Sequence, residues 1–239
     1  MEDQSDVLAK LAVRISRDVS MPLALRLCHA CVDILQADGG SLSLASSDAE
    51  RMTVCSTDDV AARLEDLQEV LGEGPGATTF SSGRQVTAVV PAAPGTVDRR
   101  WPMFANAVRQ TLGGMTVYAV AIRPGTTTLG VLMLHRSAGG DLAAPPDQAQ
   151  FLADALGAAL LRDPGSHGTG TGAWTDRARI HQATGMVIAQ LGVEPDDALA
   201  LLRAHAFASS STLVEVATDV VERRLNFTHS RNSDWTEDR

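Results

Sequence analysis

The chain has 239 residues, enough for two unequal domains when a single domain takes about 150. A hydrophobic share of 44% with only 4% aromatic residues means that Ala, Val, Leu and Ile must build the core. A formal net charge of -9 excludes a protein that coats nucleic acid or anionic membrane indiscriminately, because that mode draws on an excess of Lys and Arg.

The first segment, "MEDQSDVLAKLAVRISRDVS", is acidic and broken by charge, and it fits neither a signal peptide nor a transit peptide. No apolar run approaches the length of a membrane span. The expectation is a cytoplasmic protein without a membrane partner. An odd number of cysteines, three in all, suits a reducing compartment better than a disulfide framework.

"MPLALRLCHACVDILQAD" places Leu23, Leu27, Cys31 and Ile34 or Leu35 on one helical face, so a helix opens the domain. "GGSLSLAS" and "RMTVCST" read as two short strands, followed by the helical "VAARLEDLQEVL". "GEGPGATTFSSG" reads as a Gly- and Pro-punctuated loop with room for one helical turn, leading into the strand "QVTAVVP". A helix is expected after Pro102, then the strand pair "MTVYAVAIRP" and "TLGVLMLHRS". "PPDQAQFLADALGAALLRD" closes this part as an amphipathic helix begun by prolines. The order of elements predicts an antiparallel sheet with helices at its faces, an α+β domain over residues 18–162.

Residues 163–173, rich in Gly, Ser and Thr, read as a flexible linker with a mean span of roughly 17 to 20 Å. Three helices follow over 174–228, and the polar segment 229–239 reads as a disordered tail. Thr175 is expected to cap the first helix, which carries Ile180, Ala183, Val187 and Leu191 inward and stops at Gly192. Pro195 opens the second, whose inward stripe is Ala198, Leu201, Leu202 and His205. "TLVE" from Thr212 to Glu215 has the pattern of a capping box for the third, with Leu213, Val216, Ala217 and Val220 on one face.

"ARIHQATGMVIAQLGVEPDDALALLRAHAFASSSTLVEVATDVV" resembles the ANTAR domain, a three-helix RNA-binding module of bacterial transcription antiterminators. The resemblance rests on Arg177, Ile180, Ala183, Gly185 and Met186, then Ala198, Leu202, Arg203 and Ala206, then Leu213, Val216 and Ala217. "ADGGSLSL", "LGEGPGATTFSSG", "WPMFANAV" and "LGVLMLHR" are similar to a GAF domain of the kind fused to ANTAR in actinobacteria. The fold implied is an α+β GAF domain followed by an all-α three-helix ANTAR domain. The function implied is antitermination, with the GAF part sensing a signal or dimerising and the ANTAR part binding paired RNA stem-loops.

Unpaired loop bases can be stacked on guanidinium or ring planes and read on their edges, which needs no broadly basic protein. The candidate RNA contacts are Arg177, Gln182, Gly185, Arg203, Ser210, Ser211, Thr212 and Arg223, with Arg224 as a further phosphate ligand. Gly185 has two readings. An interior helical glycine costs about 1 kcal/mol against Ala, so it serves either close approach by a neighbouring helix or room for RNA beside the backbone. Two features depart from the family pattern: "SSST" stands where a basic residue is common before the third helix, and the linker is Gly-rich.

In the GAF-like part, Glu73, Trp101 and His135 are the candidate ligand-binding residues, with the ligand unassigned. Glu73 either faces a ligand or is solvated, and Trp101 reads as a packing residue rather than a stacking platform. Cys28 and Cys31 stand at CxxC spacing, but no second Cys or His pair completes a tetrahedral metal site, and three-residue spacing on an amphipathic helix suits core packing. With Cys55 they keep open a thiol reductase of methionine sulfoxide. "GEGPG" lacks the Lys-Ser/Thr end of a phosphate-binding loop. The expectation is a homodimer, without catalytic residues, metal or cofactor. The rival classes are a protein-interaction regulator that has lost RNA binding, favoured by "SSST" and the acidic balance, and a DNA-binding helix-turn-helix, disfavoured by Glu215, Asp219 and Glu222 on the last helix.

Overall fold

The computed structural model describes residues 4–45, 51–93, 98–137, 140–162 and 171–227, with only the backbone described for 171–175 and 177. The chain divides into two compact units, residues 1–173 and 174–239. The linker segment 163–170 and the polar segment from 228 onward lie outside the described residues.

The first unit is built on five antiparallel strands: β1 (Gly39–Ala45), β2 (Arg51–Ser56), β3 (Val86–Val90), β4 (Met115–Ile122) and β5 (Gly130–Arg136). Their order across the sheet is β2-β1-β5-β4-β3. β4 is buried along its whole length and β5 nearly so, as strands with helices on both faces must be.

Alternation along β4 and β5 assigns the two faces. Tyr118, Val120, Ile122, Leu132 and Leu134 pack with α1 (Gln4–Ile15), α2 (Leu23–Leu35) and α6 (Pro146–Arg162). Met115, Val117 and Met133 pack on the other side with α3 (Asp59–Leu71) and α5 (Pro102–Thr111). The short helix α4 (Pro75–Ser82) joins that second layer, where Thr79 donates its hydroxyl to the Ala119 carbonyl on β4. The expected antiparallel sheet flanked by helices is present.

Two elements of this unit differ from the sequence reading. α1 precedes residue 18 and packs through Val7 and Leu11, four residues apart on one face; the charges that break the segment are its solvent side. "GEGPGATTFSSG" holds an eight-residue helix rather than one turn, opened by Pro75 at its first position and closed by Gly83 in the left-handed conformation.

The second unit is all-α: α7 (Thr171–Leu191), α8 (Pro195–Ser209) and α9 (Leu213–Val221). Ala183, Val187, Ala198, Leu202, Ala206, Leu213, Val216, Ala217 and Val220 are its buried apolar residues. The capping box is formed, with the Thr212 hydroxyl accepting from the Glu215 N–H and the Glu215 carboxylate accepting from the Thr212 N–H. Gly192 stops α7 at φ 68°, its N–H donating to the Ile188 carbonyl.

Thr175 does not stand at the N-cap position, because α7 begins four residues earlier and contains it. Leu191, on the last turn of α7, is exposed, and Ile180 is half-buried. On α8 the buried stripe runs through Ala198, Leu202 and Ala206, leaving Leu201 and His205 half-buried. Spacing of four residues drifts the stripe about 40° per step, toward the side that carries Arg203.

Candidate nucleic-acid interface

The reversal after α9 shapes a concave surface on the second unit. Arg223 adopts φ 61°, its N–H donates to the Val220 carbonyl, and the Arg224 N–H donates to the Asp219 carbonyl. These two bonds form a Schellman cap, whose left-handed position is normally glycine; a side chain there costs roughly 1 to 2 kcal/mol. The turn folds the following residues back onto α7, where the Gln190 side-chain oxygen accepts from the Phe227 N–H at 3.1 Å. Phe227 also meets His205 of α8 edge to face, with ring centroids 5.8 Å apart.

Between α7 and this returning segment lies a concave pocket of ≈ 370 Å³ lined by Met186, Ala189, Gln190, Arg223, Leu225 and Asn226. Arg223 is exposed and has no ion-pair partner among the described residues. Its neighbour Arg224 holds Asp219 at 2.7 Å and also pairs with Glu222. Two nearby carboxylates are thereby engaged by one arginine, leaving the other free.

Gly185 stands on the exposed side of α7, and a Cβ built on it meets nothing within 4 Å. Of its two readings, close helix packing therefore fails. Gln182 is exposed one turn before it. Arg203 is half-buried, with an Nε that is shielded from solvent and bonded to no described residue. The side chain of Arg177 lies outside the described residues.

Ser210, Ser211 and Thr212 form the turn between α8 and α9. Ser210 takes φ 55° and the Ser211 N–H donates to the Ala206 carbonyl, a second left-handed cap without glycine. This turn lies at the start of α9 and Arg223 just beyond its end, about 14 Å apart by helical rise over nine residues. The candidates thus fall into two groups rather than one patch. Sequence reading missed Met186, Ala189, Gln190, Leu225 and Asn226 as site residues, and it missed Phe207, a 55% exposed aromatic one turn after Arg203. Phe207 was detectable as a large apolar residue off the buried stripe.

In the first unit the three candidate ligand residues are internally engaged, Glu73 and Trp101 at the start of α5 and His135 on β5. The Glu73 carboxylate accepts the Phe104 N–H at 2.8 Å, satisfying a free donor in the first turn of α5. Trp101 is 4% exposed, donates its indole N–H to the Thr78 hydroxyl, and carries the Arg100 guanidinium over its ring. His135, on β5 opposite Gly39, sets its Nε2 3.1 Å from Asp58, while Nδ1 is buried and bonded to no described residue.

Burial pushes the Asp58 carboxyl up, but the Ala61 N–H, the Thr57 hydroxyl and His135 together outweigh it and hold its pKa below the ordinary value. A Cβ on Gly39 would fall 2.6 Å from His135 Nε2 and closer still to the Asp58 carboxylate, so this pair requires glycine there.

Beside it a buried polar network fills the space between the sheet and α3. Ser41 donates to Glu65 Oε1 at 2.7 Å; Arg51 donates to Glu65 Oε2 and to Ser43 Oγ, both at 2.9 Å. Gln68 donates to Glu65 and to the Met133 sulfur and accepts the Gly76 N–H. A Cβ on Gly76 would lie 2.7 Å from the Arg51 guanidinium, which gives "GEGPG" a packing reason for that glycine.

Cys28 and Cys31 are held protonated. Contact with Cys55, followed by burial, raises the pKa of Cys28 well above normal, and burial pushes Cys31 up to about 12. Among the described residues, no group of three or more His, Cys, Asp or Glu could hold a metal ion, and no helix is long and apolar enough to cross a membrane.

No curated protein matches the sequence. The chain is similar to the GAF domain of an Acinetobacter phosphoenolpyruvate-protein phosphotransferase at 15% identity, covering 66% of this chain and 93% of that one with a TM-score of 0.44. It is also similar to the nlh2 GAF domain of A. aeolicus, crystallised in an inactive state, at 11% identity, 67% and 97% coverage and a TM-score of 0.45. Residues 171–221, which contain α7, α8 and α9, match the family model described as the ANTAR domain.

Proposed function

We propose that the chain is a transcription antitermination regulator of GAF-ANTAR type, whose three-helix unit binds RNA stem-loops and favours an antiterminator over a terminator hairpin. The observation that carries this reading is the pairing pattern of an acidic module: Arg203 and Arg223 keep no ion-pair partner among the described residues, while Arg224 engages Asp219 and Glu222. The family match over residues 171–221 supports the same reading.

The first unit acts as a dimeriser or a sensor. The buried network of Ser41, Arg51, Glu65 and Gln68 holds α3 to the sheet, its side chains satisfying one another. Two copies of a weak module, held together, can grip two hairpin loops at once. The protein acts in the cytoplasm and carries no catalytic residue; the protonated state of Cys28 and Cys31 favours this over a methionine sulfoxide reductase. Thiol titration alongside turnover of free methionine sulfoxide checks that point, with no turnover expected.

A gel shift with a two-hairpin RNA tests the main reading. Arg203→Ala should weaken binding about tenfold while leaving the melting temperature within a few degrees. Undiminished affinity in that variant removes Arg203 from the interface. Failure of the unaltered chain to bind any such RNA favours the protein-docking alternative, which the acidic balance of the unit and the engagement of Thr212 in its own cap support.

A further inference from the structure

We propose that the pocket between α7 and the segment after α9 receives one unstacked nucleobase of an RNA loop, with Arg223 holding the adjoining phosphate. The proposal rests on the RNA-binding reading above and adds to it a specific subsite. Four observations converge there.

The volume of ≈ 370 Å³ lies near the lower end of small-ligand sites, about 300 to 1,000 Å³, which suits a nucleoside rather than a helix or a peptide strand. The walls have the chemistry of a base receptor. Met186 and Leu225 offer apolar faces, and a thioether packs well against an aromatic ring. Gln190 spends its side-chain oxygen on the Phe227 N–H, which fixes the amide and leaves its nitrogen to donate to a base edge.

The cation at the rim is set up at a cost. Arg223 occupies a left-handed cap position that glycine would fill without strain, so stability alone does not select arginine there. Asp219 and Glu222, the carboxylates that would otherwise attract it, are held by Arg224. Finally, Gly185 lies one turn before Ala189 on α7, and its Cβ position is open space. Its helix-weakening presence gains nothing inside the protein. A bare backbone beside the pocket mouth admits the sugar-phosphate chain that must enter with the base.

The test uses the full chain and a pool of two-hairpin RNAs with randomised loops, selected by retention and sequenced. The unaltered protein should enrich loops that share one base at one position. Ala189→Leu places a larger side chain at the exposed edge of the pocket; it should bind at least tenfold more weakly and lose the preference at that position, with an unchanged melting temperature. Arg223→Gln should keep the base preference but lose affinity, and because each of the two copies loses one phosphate contact, its plot of log affinity against log salt should be shallower by about 1.4 to 2.

Enrichment of the same base by Ala189→Leu at undiminished affinity overturns the pocket while leaving RNA binding intact. Retention of no RNA by the unaltered chain overturns both. A 2-aminopurine placed at the enriched position gives an independent reading. Its fluorescence should change on binding the unaltered chain and not Ala189→Leu, and an equal change with both also contradicts the proposal.

Discussion

Asp58 does three jobs with one carboxylate: it caps α3 through the Ala61 N–H, accepts from Thr57, and meets the buried His135. Asp58→Ala removes an N-cap worth about 1 kcal/mol and strands a buried ring nitrogen at about 1 to 3 kcal/mol, so chemical denaturation should show a loss of about 2 to 4 kcal/mol. Asp58→Asn keeps the cap and should lose less. Because the folded pKa of Asp58 lies below its ordinary value, its contribution is present above about pH 4 and is lost as pH falls through the folded pKa. The acid limb of the stability profile should therefore flatten in Asp58→Asn. Gly185 gives the opposite signature. With no atom to meet a Cβ, Gly185→Ala should stabilise α7 by about 1 kcal/mol in thermal denaturation while weakening RNA binding. A variant more stable and equally able to bind RNA would leave the glycine without a role.

At the scale of elements, the strands and most helices were legible because apolar periodicity and punctuation agreed: Pro102, Pro146 and Pro195 open helices where a missing N–H costs nothing. What escaped had physical reasons. α1 is marked by charges that turn out to be its solvent face, and α7 begins inside a Gly- and Thr-rich stretch whose composition argues against helix. The candidate site was legible only in part. Gly185 and Arg223 stood out, but the pocket joins residues over 30 positions apart through a left-handed turn at an arginine, and only glycine would have announced that turn. The network under α3 was equally hidden, since nothing in the sequence brings Arg51 and Glu65 together, and they form a pair whose side chains are only 14% and 6% exposed. Arg51→Ala leaves the Glu65 carboxylate buried without its cation and should cost about 3 to 5 kcal/mol in urea denaturation. A loss under about 1 kcal/mol would mean that water enters and solvates Glu65.

At the scale of the whole molecule, the proposed function asks a chain with net charge -9 to recognise RNA without a basic surface to hold it. In the proposed binding mode geometry makes this possible: a few guanidiniums are kept out of ion pairs, a concave wall takes a base, and two copies supply through avidity what one lacks. Such an interface releases few counterions. The deciding measurement is the affinity of the full chain for a two-hairpin RNA as salt rises from about 50 to 200 mM. With one or two phosphates contacted per module, a dimer should show a shallow slope of log affinity against log salt, about -1 to -3, and should reject duplex RNA without loops. Equal binding of loop-free duplex, or no binding at the lowest salt, would contradict the account.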